Sequence, residues 1–246
     1  MQKQKKNSHD GIEVVWSNEN LSIQHDSGFN KESFDDIKGQ ESLVRALQVA
    51  AAGGHNLIAY GPPGCGKTLA LRRFQSLLPD IDFKTSYEVT RIYSVAGLLT
   101  ENADRKDVLI RRPPFRMPHP NASLEGMIGG AGTCLPGEIS LAHGGVLFLD
   151  EATQFKASVL QTLRSPLETG RVTLSRAGRS STFPANSQLL LACNPCPCGN
   201  FGAEGKVCTC MPQTVESYWK KLTAPLLDRI DLRISVLPPD ANNFLK

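Results

Sequence analysis

The sequence predicts an α/β fold whose sheet is mostly parallel and flanked by helices. Three short apolar runs, at residues 56–60, 146–149 and 189–193, are each followed directly by polar or glycine residues. Strands that are apolar throughout are typical of a parallel sheet with helices on both faces, since neither face alternates with solvent. Ligands bind at the carboxyl ends of the strands in such sheets. The residues that follow the three runs are therefore the first candidates for a functional site.

The other elements follow from local patterns. A helix with an apolar face at Leu43, Leu47 and Ala50 is expected to end at Gly53-Gly54, and a second helix should follow the first strand over residues 69–78. A third helix is predicted over Lys156 to Glu168. Alternation then predicts a β-hairpin with strands at 171–176 and 181–183 and a turn at 177–180. The last strand should run from 232 to 237, before Pro238-Pro239 closes the domain.

Length and composition favour one domain. The 246 residues could form one large domain or two small ones, and the motif spacing favours one. We expect a flexible leader at 1–28, an α/β domain at 29–238 and a tail at 239–246. The formal net charge of +3 neither requires nor excludes a nucleic-acid partner. No apolar run approaches the roughly 18 residues that span a bilayer, and the N-terminus lacks a secretory pattern, so we expect a soluble, cytoplasmic protein without a membrane partner.

The first strand is followed by a phosphate-binding loop of the pattern G-x-x-x-x-G-K-[ST]. Its consecutive backbone N–H groups and the following helix N-terminus can bind the phosphates of a nucleoside triphosphate. Lys67 can reach the β- and γ-phosphates, and the hydroxyl of Thr68 can bind Mg²⁺. The predicted cofactors are therefore ATP and Mg²⁺. The predicted loop residues are Gly61, Pro62, Pro63, Gly64, Cys65, Gly66, Lys67 and Thr68.

Polar residues after the other two strands complete a candidate hydrolytic site. Asp150 is placed to bind Mg²⁺ with Thr68, and Glu151 to polarise the attacking water. Asn194 could hydrogen-bond that water. More ordinary interpretations are a helix-capping role for Asp150 and a simple Asn-Pro turn at Asn194.

Arg229 is the candidate cation for the transition state. An arginine between Asp228 and Asp231 is usually a local salt-bridge partner. The alternative is an arginine finger, which stabilises the charge on the transferred phosphoryl group. The spacing alone leaves both open.

Several motifs, in order, resemble those of AAA+ ATPases. They are Phe34 to Gln40, the phosphate loop, Gly145 to Glu151, Asn194-Pro195 and Leu226 to Asp231. The segments 90–97, 136–143, 164–168 and 194–199 are similar, more narrowly, to the bacterial magnesium-chelatase-like ATPases, the group that contains the competence-related branch-migration proteins. This resemblance covers residues 30 to 238.

The resemblance implies the AAA+ form of the phosphate-loop fold, with a mostly parallel five-stranded sheet and β-hairpin insertions. It implies Ile37 and Gly39 on the adenine side, Asn194 as the sensor-1 residue and Arg229 as a finger that acts on ATP bound by the neighbouring subunit. The implied assembly is a ring of identical subunits, of the hexameric kind. Family members usually carry a Lon-protease-like domain before the ATPase and a helical lid after it, and we expect this chain to have neither.

Five of the seven cysteines lie between Cys193 and Cys210. The pairs Cys196/Cys198 and Cys208/Cys210 are separated by nine residues, and four thiolates on a flexible loop are the ligand set of a structural zinc ion. Free structural thiols and a redox or iron–sulfur role are the alternatives. Cys193, at the end of a core strand, is predicted to be buried rather than to bind metal.

Three arginines on or near the predicted hairpin, Arg171, Arg176 and Arg179, could follow a DNA backbone without reading its sequence. An ordinary solvated hairpin is the equal alternative. The function that follows is a motor ATPase, hydrolysing ATP at intersubunit sites and acting on DNA as a translocase or helicase in branch migration, recombination or competence-type processing. The alternatives are a chelatase motor that drives metal insertion into a tetrapyrrole, and a truncated nucleotide-binding interaction module with little hydrolysis.

Overall fold

A parallel five-stranded sheet forms the centre of the protein. The computed structural model describes residues 34, 37–99, 109–130, 134–176, 179–203 and 205–238, and these all fall within the predicted domain. The predicted leader and tail lie outside the described residues. The strands of the sheet are β1 (Leu57–Tyr60), β2 (Phe115–Arg116), β3 (Val146–Leu149), β6 (Gln188–Cys193) and β7 (Leu232–Ser235). The sheet order is β2-β3-β6-β1-β7, and every neighbouring pair is parallel. The α/β class and the five-stranded parallel sheet are confirmed.

Each central strand divides its side chains between two apolar cores, one on each face of the sheet. In β3, Leu147 and Leu149 pack into one core and Val146 and Phe148 into the other. All four are buried, which is why the run is apolar throughout. The register places the ends of β1, β3 and β6 side by side, since Tyr60 pairs with Cys193 and Leu149 with Leu191.

Helices cover both faces of the sheet. They are α1 (Glu41–Gly53), α2 (Lys67–Arg72), α3 (Phe83–Val95), α4 (Leu124–Ile128), α5 (Glu138–Leu141), α6 (Ala157–Thr162), α7 (Arg164–Thr169), α8 (Pro212–Lys220) and α9 (Ala224–Leu227). The predicted apolar face of α1 is buried at Leu43, Leu47 and Ala50. At the start of α3, the side chain of Asp82 accepts hydrogen bonds from the backbone N–H groups of Lys84 and Thr85.

Two predicted helices are wrong in detail. The helix predicted over 156–168 is two short helices, α6 and α7, joined at Leu163. Pro166 explains the break, because its ring lacks an N–H donor and clashes with the carbonyl of Thr162 in a continuous helix. The helix predicted over 69–78 begins earlier, at Lys67, and changes at Arg73 into a 3-10 helix, Arg73–Leu77.

The predicted hairpin is present, with a longer second strand. The strands β4 (Arg171–Arg176) and β5 (Arg179–Pro184) pair in antiparallel register from Arg171 with Pro184 to Arg176 with Arg179. Val172 and Leu174 are buried in the core, whereas Arg171, Thr173 and Ser175 are exposed. The hairpin is thus fixed to the domain by one face of β4.

In the part of the chain that the structure describes, none of the helices combines the length and the apolar character needed to cross a bilayer.

Candidate active site

The phosphate-loop motif lies between β1 and α2, at the carboxyl edge of the sheet. The first glycine is required by close packing, since a Cβ atom at Gly61 would lie 1.9 Å from the carbonyl oxygen of Val236 at the end of β7. The backbone N–H of Gly61 donates to the carbonyl of Cys193 on β6. The last glycine, Gly66, has φ +84° immediately before α2 begins. The loop is therefore held between the ends of its two neighbouring strands.

Lys67 is buried within this loop. Its Nζ donates to the carbonyl oxygens of Gly61 (2.8 Å) and Pro62 (2.7 Å), and lies 3.5 Å from Oδ1 of Asn194. Only 7% of its surface is exposed. The structure thus brings the lysine of the phosphate loop and Asn194 of the neighbouring strand to one point.

The two candidate Mg²⁺ ligands are in direct contact. Oγ1 of Thr68 donates to Oδ1 of Asp150 across 3.2 Å. Adjacent oxygen ligands of an octahedral Mg²⁺ ion lie about 3 Å apart, so this pair fits the ion in both chemistry and spacing. Asp150 also accepts a hydrogen bond from the backbone N–H of Glu151 (3.0 Å).

Glu151 has a left-handed backbone, with φ +49° and ψ +46°. A residue with a Cβ atom adopts this conformation at a cost, and such residues cluster at functional sites. Glu151 lies two residues after the end of β3 and immediately before a 3-10 helix, Ala152–Gln154.

These residues share one open cavity of about 400 Å³, within the range of small-molecule sites. It lies at the carboxyl ends of β1, β3 and β6, as the fold class predicts for a ligand site. The described residues that line it are Pro63, Gly64, Gly66, Lys67, Thr68, Leu69, Asp150, Glu151, Ala192, Cys193 and Asn194.

Arg229 is not among those lining residues. Its guanidinium forms an ion pair with Glu168 of α7 and donates to the carbonyl of Pro225 (3.3 Å). The same carboxylate of Glu168 accepts from Nε of Arg164 (3.1 Å). The hydrogen bond from Arg164, together with the charge of Arg229, lowers the pKa of Glu168 below its usual value.

The ordinary interpretation of Arg229, a salt bridge to a nearby acid, is therefore wrong in its partner, because the salt bridge forms with Glu168. Asp231 instead accepts from the backbone N–H of Asn56 (2.8 Å), while Asn56 Nδ2 donates to the carbonyl of Arg229. Glu168 lies 61 residues before Arg229 in the chain, so the spacing of residues near Arg229 could not predict this ion pair.

Ile37 and Gly39 also lie outside the cavity lining. The next residue, Gln40, links this segment to the phosphate loop. Gln40 Nε2 donates to the carbonyls of Cys65 in the phosphate loop (2.9 Å) and Leu237 after β7 (2.8 Å). Ile37 packs against the core on that face of the sheet. Gln40 belongs to the motif noted in the sequence, although its two contacts could be found only from the fold.

The four cysteines of the two C-x-C pairs come together. Their sulfur atoms all lie within 4.8 Å of one another, and the Cys196–Cys198, Cys196–Cys208 and Cys198–Cys208 separations are 3.3, 3.7 and 3.7 Å. A tetrahedral Zn²⁺ ion with Zn–S bonds near 2.3 Å separates its sulfur ligands by about 3.8 Å. A backbone hydrogen bond from Asn200 and the thiol of Cys196 lower the pKa of Cys198 to about 6.

The remaining cysteines near the site are isolated from this cluster. Burial raises the pKa of the Cys193 thiol to about 12, consistent with a core residue. Cys65 is buried and its thiol donates to the carbonyl of Pro62. All the cysteines are free thiols.

The three arginines of the hairpin are spread along it. Arg171 is exposed at the base of β4, and the backbones of Arg176 and Arg179 face each other at the end of the ladder next to the turn.

Comparison with known proteins assigns the chain to a family. The family model described as magnesium chelatase, subunit ChlI, matches residues 33–244. The chain belongs to the magnesium-chelatase-like family of AAA+ ATPases. Within it, the chain is 46% identical over 202 residues to the uncharacterized protein Rv2897c of Mycobacterium tuberculosis, covering 82% of this chain and 39% of that protein.

A second relative carries a more informative name. The competence protein ComM of Haemophilus influenzae is 43% identical over 211 residues, which cover 85% of this chain and 40% of that protein. The chain thus spans about two fifths of the length of each of these two relatives.

A solved structure supports the fold. A complex between subunits BchI and BchD of magnesium chelatase matches with a TM-score of 0.55 and 23% identity, over 84% of this chain and 61% of that one. The AAA+ fold and the parallel sheet are thus shared with a magnesium-chelatase subunit.

Proposed function

We propose that the protein binds ATP with Mg²⁺ in the cavity at the end of β1 and hydrolyses it. The observation that carries the proposal is the convergence of Lys67, Thr68, Asp150, Glu151 and Asn194 on that one cavity. They come from α2, from the end of β3 and from the end of β6, so the arrangement depends on the whole sheet. An organised triphosphate site requires these groups: backbone N–H donors, a cation, a metal-binding pair and a carboxylate.

Each residue has a distinct part in the proposed reaction. The loop backbone and Lys67 bind the phosphates, and Thr68 and Asp150 would hold Mg²⁺, which neutralises charge on the phosphate oxygens. Glu151 orients the attacking water and accepts its proton, while Asn194 hydrogen-bonds the same water. Nζ of Lys67 lies 3.5 Å from Oδ1 of Asn194, so the two side chains can contact the same ligand.

The corresponding test separates binding from chemistry. Glu151→Gln is expected to retain ATP affinity and to lower kcat by about 10²–10⁴-fold, as for loss of a general base. Ser76→Ala, on the 3-10 helix after α2, is the matched control, because Ser76 is exposed and its hydroxyl bonds only locally to Arg73. Equal rates for the Glu151 variant and the wild type would refute the assigned role.

We also propose that Arg229 completes the site of a neighbouring subunit in a ring, of the hexameric kind. It lies outside its own cavity and is held by Glu168, on a separate helix, with its side chain one-third exposed. A partly exposed guanidinium that is held in place by an ion pair fits an arginine finger supplied in trans. ATPase activity per subunit should then rise with protein concentration, whereas a constant rate across the assembly range would contradict a shared site.

The proposed macromolecular partner is DNA, bound at the β4–β5 hairpin. The hairpin projects an exposed face that carries Arg171, Thr173 and Ser175, while its other face is fixed to the core. Arginine and hydroxyl side chains on one ridge suit contact with a phosphate backbone.

The DNA proposal predicts salt-dependent binding that the hairpin arginines control. Changing all three to Gln should reduce the slope of log affinity against log salt by about 2 for single-stranded DNA. The control removes the same charge from exposed sites elsewhere: Arg45, Lys84 and Lys156. Equal losses in both triple variants would refute a hairpin site. ATPase activity that does not change when DNA is added, together with support of metal insertion into a tetrapyrrole, would favour the chelatase alternative.

A further proposed cofactor is Zn²⁺, bound by Cys196, Cys198, Cys208 and Cys210. The support is the grouping of the four sulfur atoms within 4.8 Å of one another, with two separations of 3.7 Å, near the value of about 3.8 Å for a tetrahedral ion. Purified protein should contain one zinc ion per chain, measured by elemental analysis. Cys208→Ser should lose it, and Cys134→Ser, outside the cluster, should not. A zinc-free wild type that also fails to bind added Zn²⁺ or Co²⁺ would refute the site.

A further inference from the structure

The cysteine loop, residues 196–210, packs directly on the phosphate loop. A Cβ atom at Gly199 would lie 2.7 Å from Cδ and 3.0 Å from Cγ of Pro63. Both are closer than ordinary van der Waals contact, and the proline ring belongs to the short, constrained loop that lines the cavity. Gly199 therefore allows the backbone of one loop to lie against the ring of the other.

The thiol cluster fixes the position of this contact. Cys196 is completely buried, and its carbonyl accepts from the backbone N–H of Gly199 (3.0 Å). Its sulfur accepts from the backbone N–H of Phe201 (3.3 Å). Gly199 thus lies in a turn between two backbone bonds to one metal-binding cysteine.

The cysteine loop begins just after the end of β6, where Asn194 lies. Only Pro195 separates Cys196 from Asn194, whose Oδ1 lies beside Lys67. One residue before Asn194, the carbonyl of Cys193 accepts from Gly61. The phosphate loop is therefore bordered by the end of β6 and then by the cysteine loop.

The distal end of the cysteine loop returns to the same place. After Cys210 the chain enters α8, where Trp219 Nε1 donates to the carbonyl of Pro195 (2.9 Å). The ring of Trp219 meets that of Tyr60 edge-on at 6.0 Å. Tyr60 is the last residue of β1, next to Gly61, so both ends of the cysteine loop are attached to residues that border the phosphate loop.

We infer that metal bound by the four cysteines holds Pro63 and Asn194 in the arrangement that binds nucleotide, so that metal occupancy sets ATP affinity. This rests on the proposed ATP and zinc sites. The loop is too short to bury a core of its own, and its order without metal depends on four thiols that must otherwise be solvated or bonded to one another. Loss of the metal releases the surface against which Pro63 packs. The zinc would thus support the structure of the nucleotide site without taking part in the reaction.

The first test compares the same protein with and without metal. Zinc is removed with a chelator, the chelator is dialysed away, Mg²⁺ is restored, and binding of a fluorescent ATP analogue is titrated. We expect affinity to fall about tenfold and to recover with Zn²⁺, because several phosphate-binding N–H groups lose alignment together. Co²⁺ should also restore it, and its thiolate absorption bands report the ligand set independently of nucleotide. Unchanged affinity after complete zinc removal would overturn the inference while leaving the ATP site intact.

The second test changes the contact and leaves the ligands in place. Gly199→Ala places a methyl group against Pro63, whereas Gly202→Ala, in the same loop, adds one where nothing lies within 4 Å. Both glycines have left-handed backbones, with φ +80° and +73°, so the two variants carry similar backbone strain. We expect both to retain one zinc ion and the wild-type circular dichroism spectrum, and only Gly199→Ala to lose ATP affinity, again by about tenfold.

The outcomes separate the proposals. Equal affinity in the two variants, with zinc retained, would refute the coupling and leave the zinc site standing. A zinc-free wild type that also fails to bind added Zn²⁺ or Co²⁺ would refute both the zinc site and the coupling. Failure of the zinc-loaded wild type to bind nucleotide would refute the proposed ATP site itself.

Discussion

The left-handed backbone of Glu151 predicts that the protein becomes more stable when this residue is replaced by glycine. The conformation costs an L-residue about 1–2 kcal/mol, and glycine avoids that cost. Glycine loses about 0.5–1 kcal/mol through the greater freedom of its unfolded chain. The side chain of Glu151 is exposed, and its backbone bond to Asp150 survives the change. The balance is a gain of about 0.5–1 kcal/mol, or about 1–4 °C in Tm for a domain of this size.

The assay is calorimetric unfolding of Glu151→Gly beside Glu151→Gln, with ATP hydrolysis measured on both. The glutamine variant keeps the backbone strain and should unfold with the wild type. Both variants should lose hydrolysis, since both lack the carboxylate. Thus stability and activity should move in opposite directions in the glycine variant alone. A lower Tm for Glu151→Gly than for Glu151→Gln would show that the left-handed backbone of Glu151 carries no strain.

Three other changes have defined outcomes. Lys67→Ala should weaken ATP binding at least about 100-fold, because two charge-assisted hydrogen bonds from Lys67 to the phosphates, at about 1.5–3 kcal/mol each, are lost. An ATP affinity within tenfold of that of the wild type, measured by calorimetric titration, would contradict this. Glu168→Gln keeps the side-chain shape but removes the charge that orients Arg229, so hydrolysis should fall several-fold at unchanged ATP affinity; reduced affinity would instead indicate a distorted nucleotide site. Asp82→Ala should lower Tm at neutral pH. Hydrogen bonds from Thr85 hold the pKa of Asp82 below the value usual for an aspartate, so its stabilisation is complete above that usual pKa and is lost as the pH falls through the lowered one. The Tm gap should close in acid; a gap that persists at low pH would rule out a charged cap.

The nucleotide site was predictable because its signals are local. The phosphate loop, Asp150-Glu151 and Asn194 each follow an apolar run, and the parallel register brings the ends of those runs together. Pro166 also marks the break between α6 and α7 in the sequence, although the helical periodicity around it predicts one continuous helix.

The remaining features depend on tertiary contacts that no local pattern encodes. The strand β2 has only two residues, and it is defined by pairing with Val146 and Leu147 rather than by any periodicity. The ion pair of Arg229 with Glu168 and the contact of Gly199 with Pro63 each join segments more than 50 residues apart. The sequence showed these residues but not which of them meet.

The most direct test of the shared ATPase site mixes two inactive variants of the chain. Glu151→Gln subunits retain Arg229, and Arg229→Ala subunits retain Glu151, so a ring that contains both has some interfaces with every group present. If Arg229 acts across the interface, an equal mixture should recover about a quarter of the wild-type rate at the same total concentration, since that is the share of complete interfaces in a randomly mixed head-to-tail ring. A mixture as inactive as its components, under conditions in which the wild type hydrolyses ATP, would contradict an ATPase site shared between subunits.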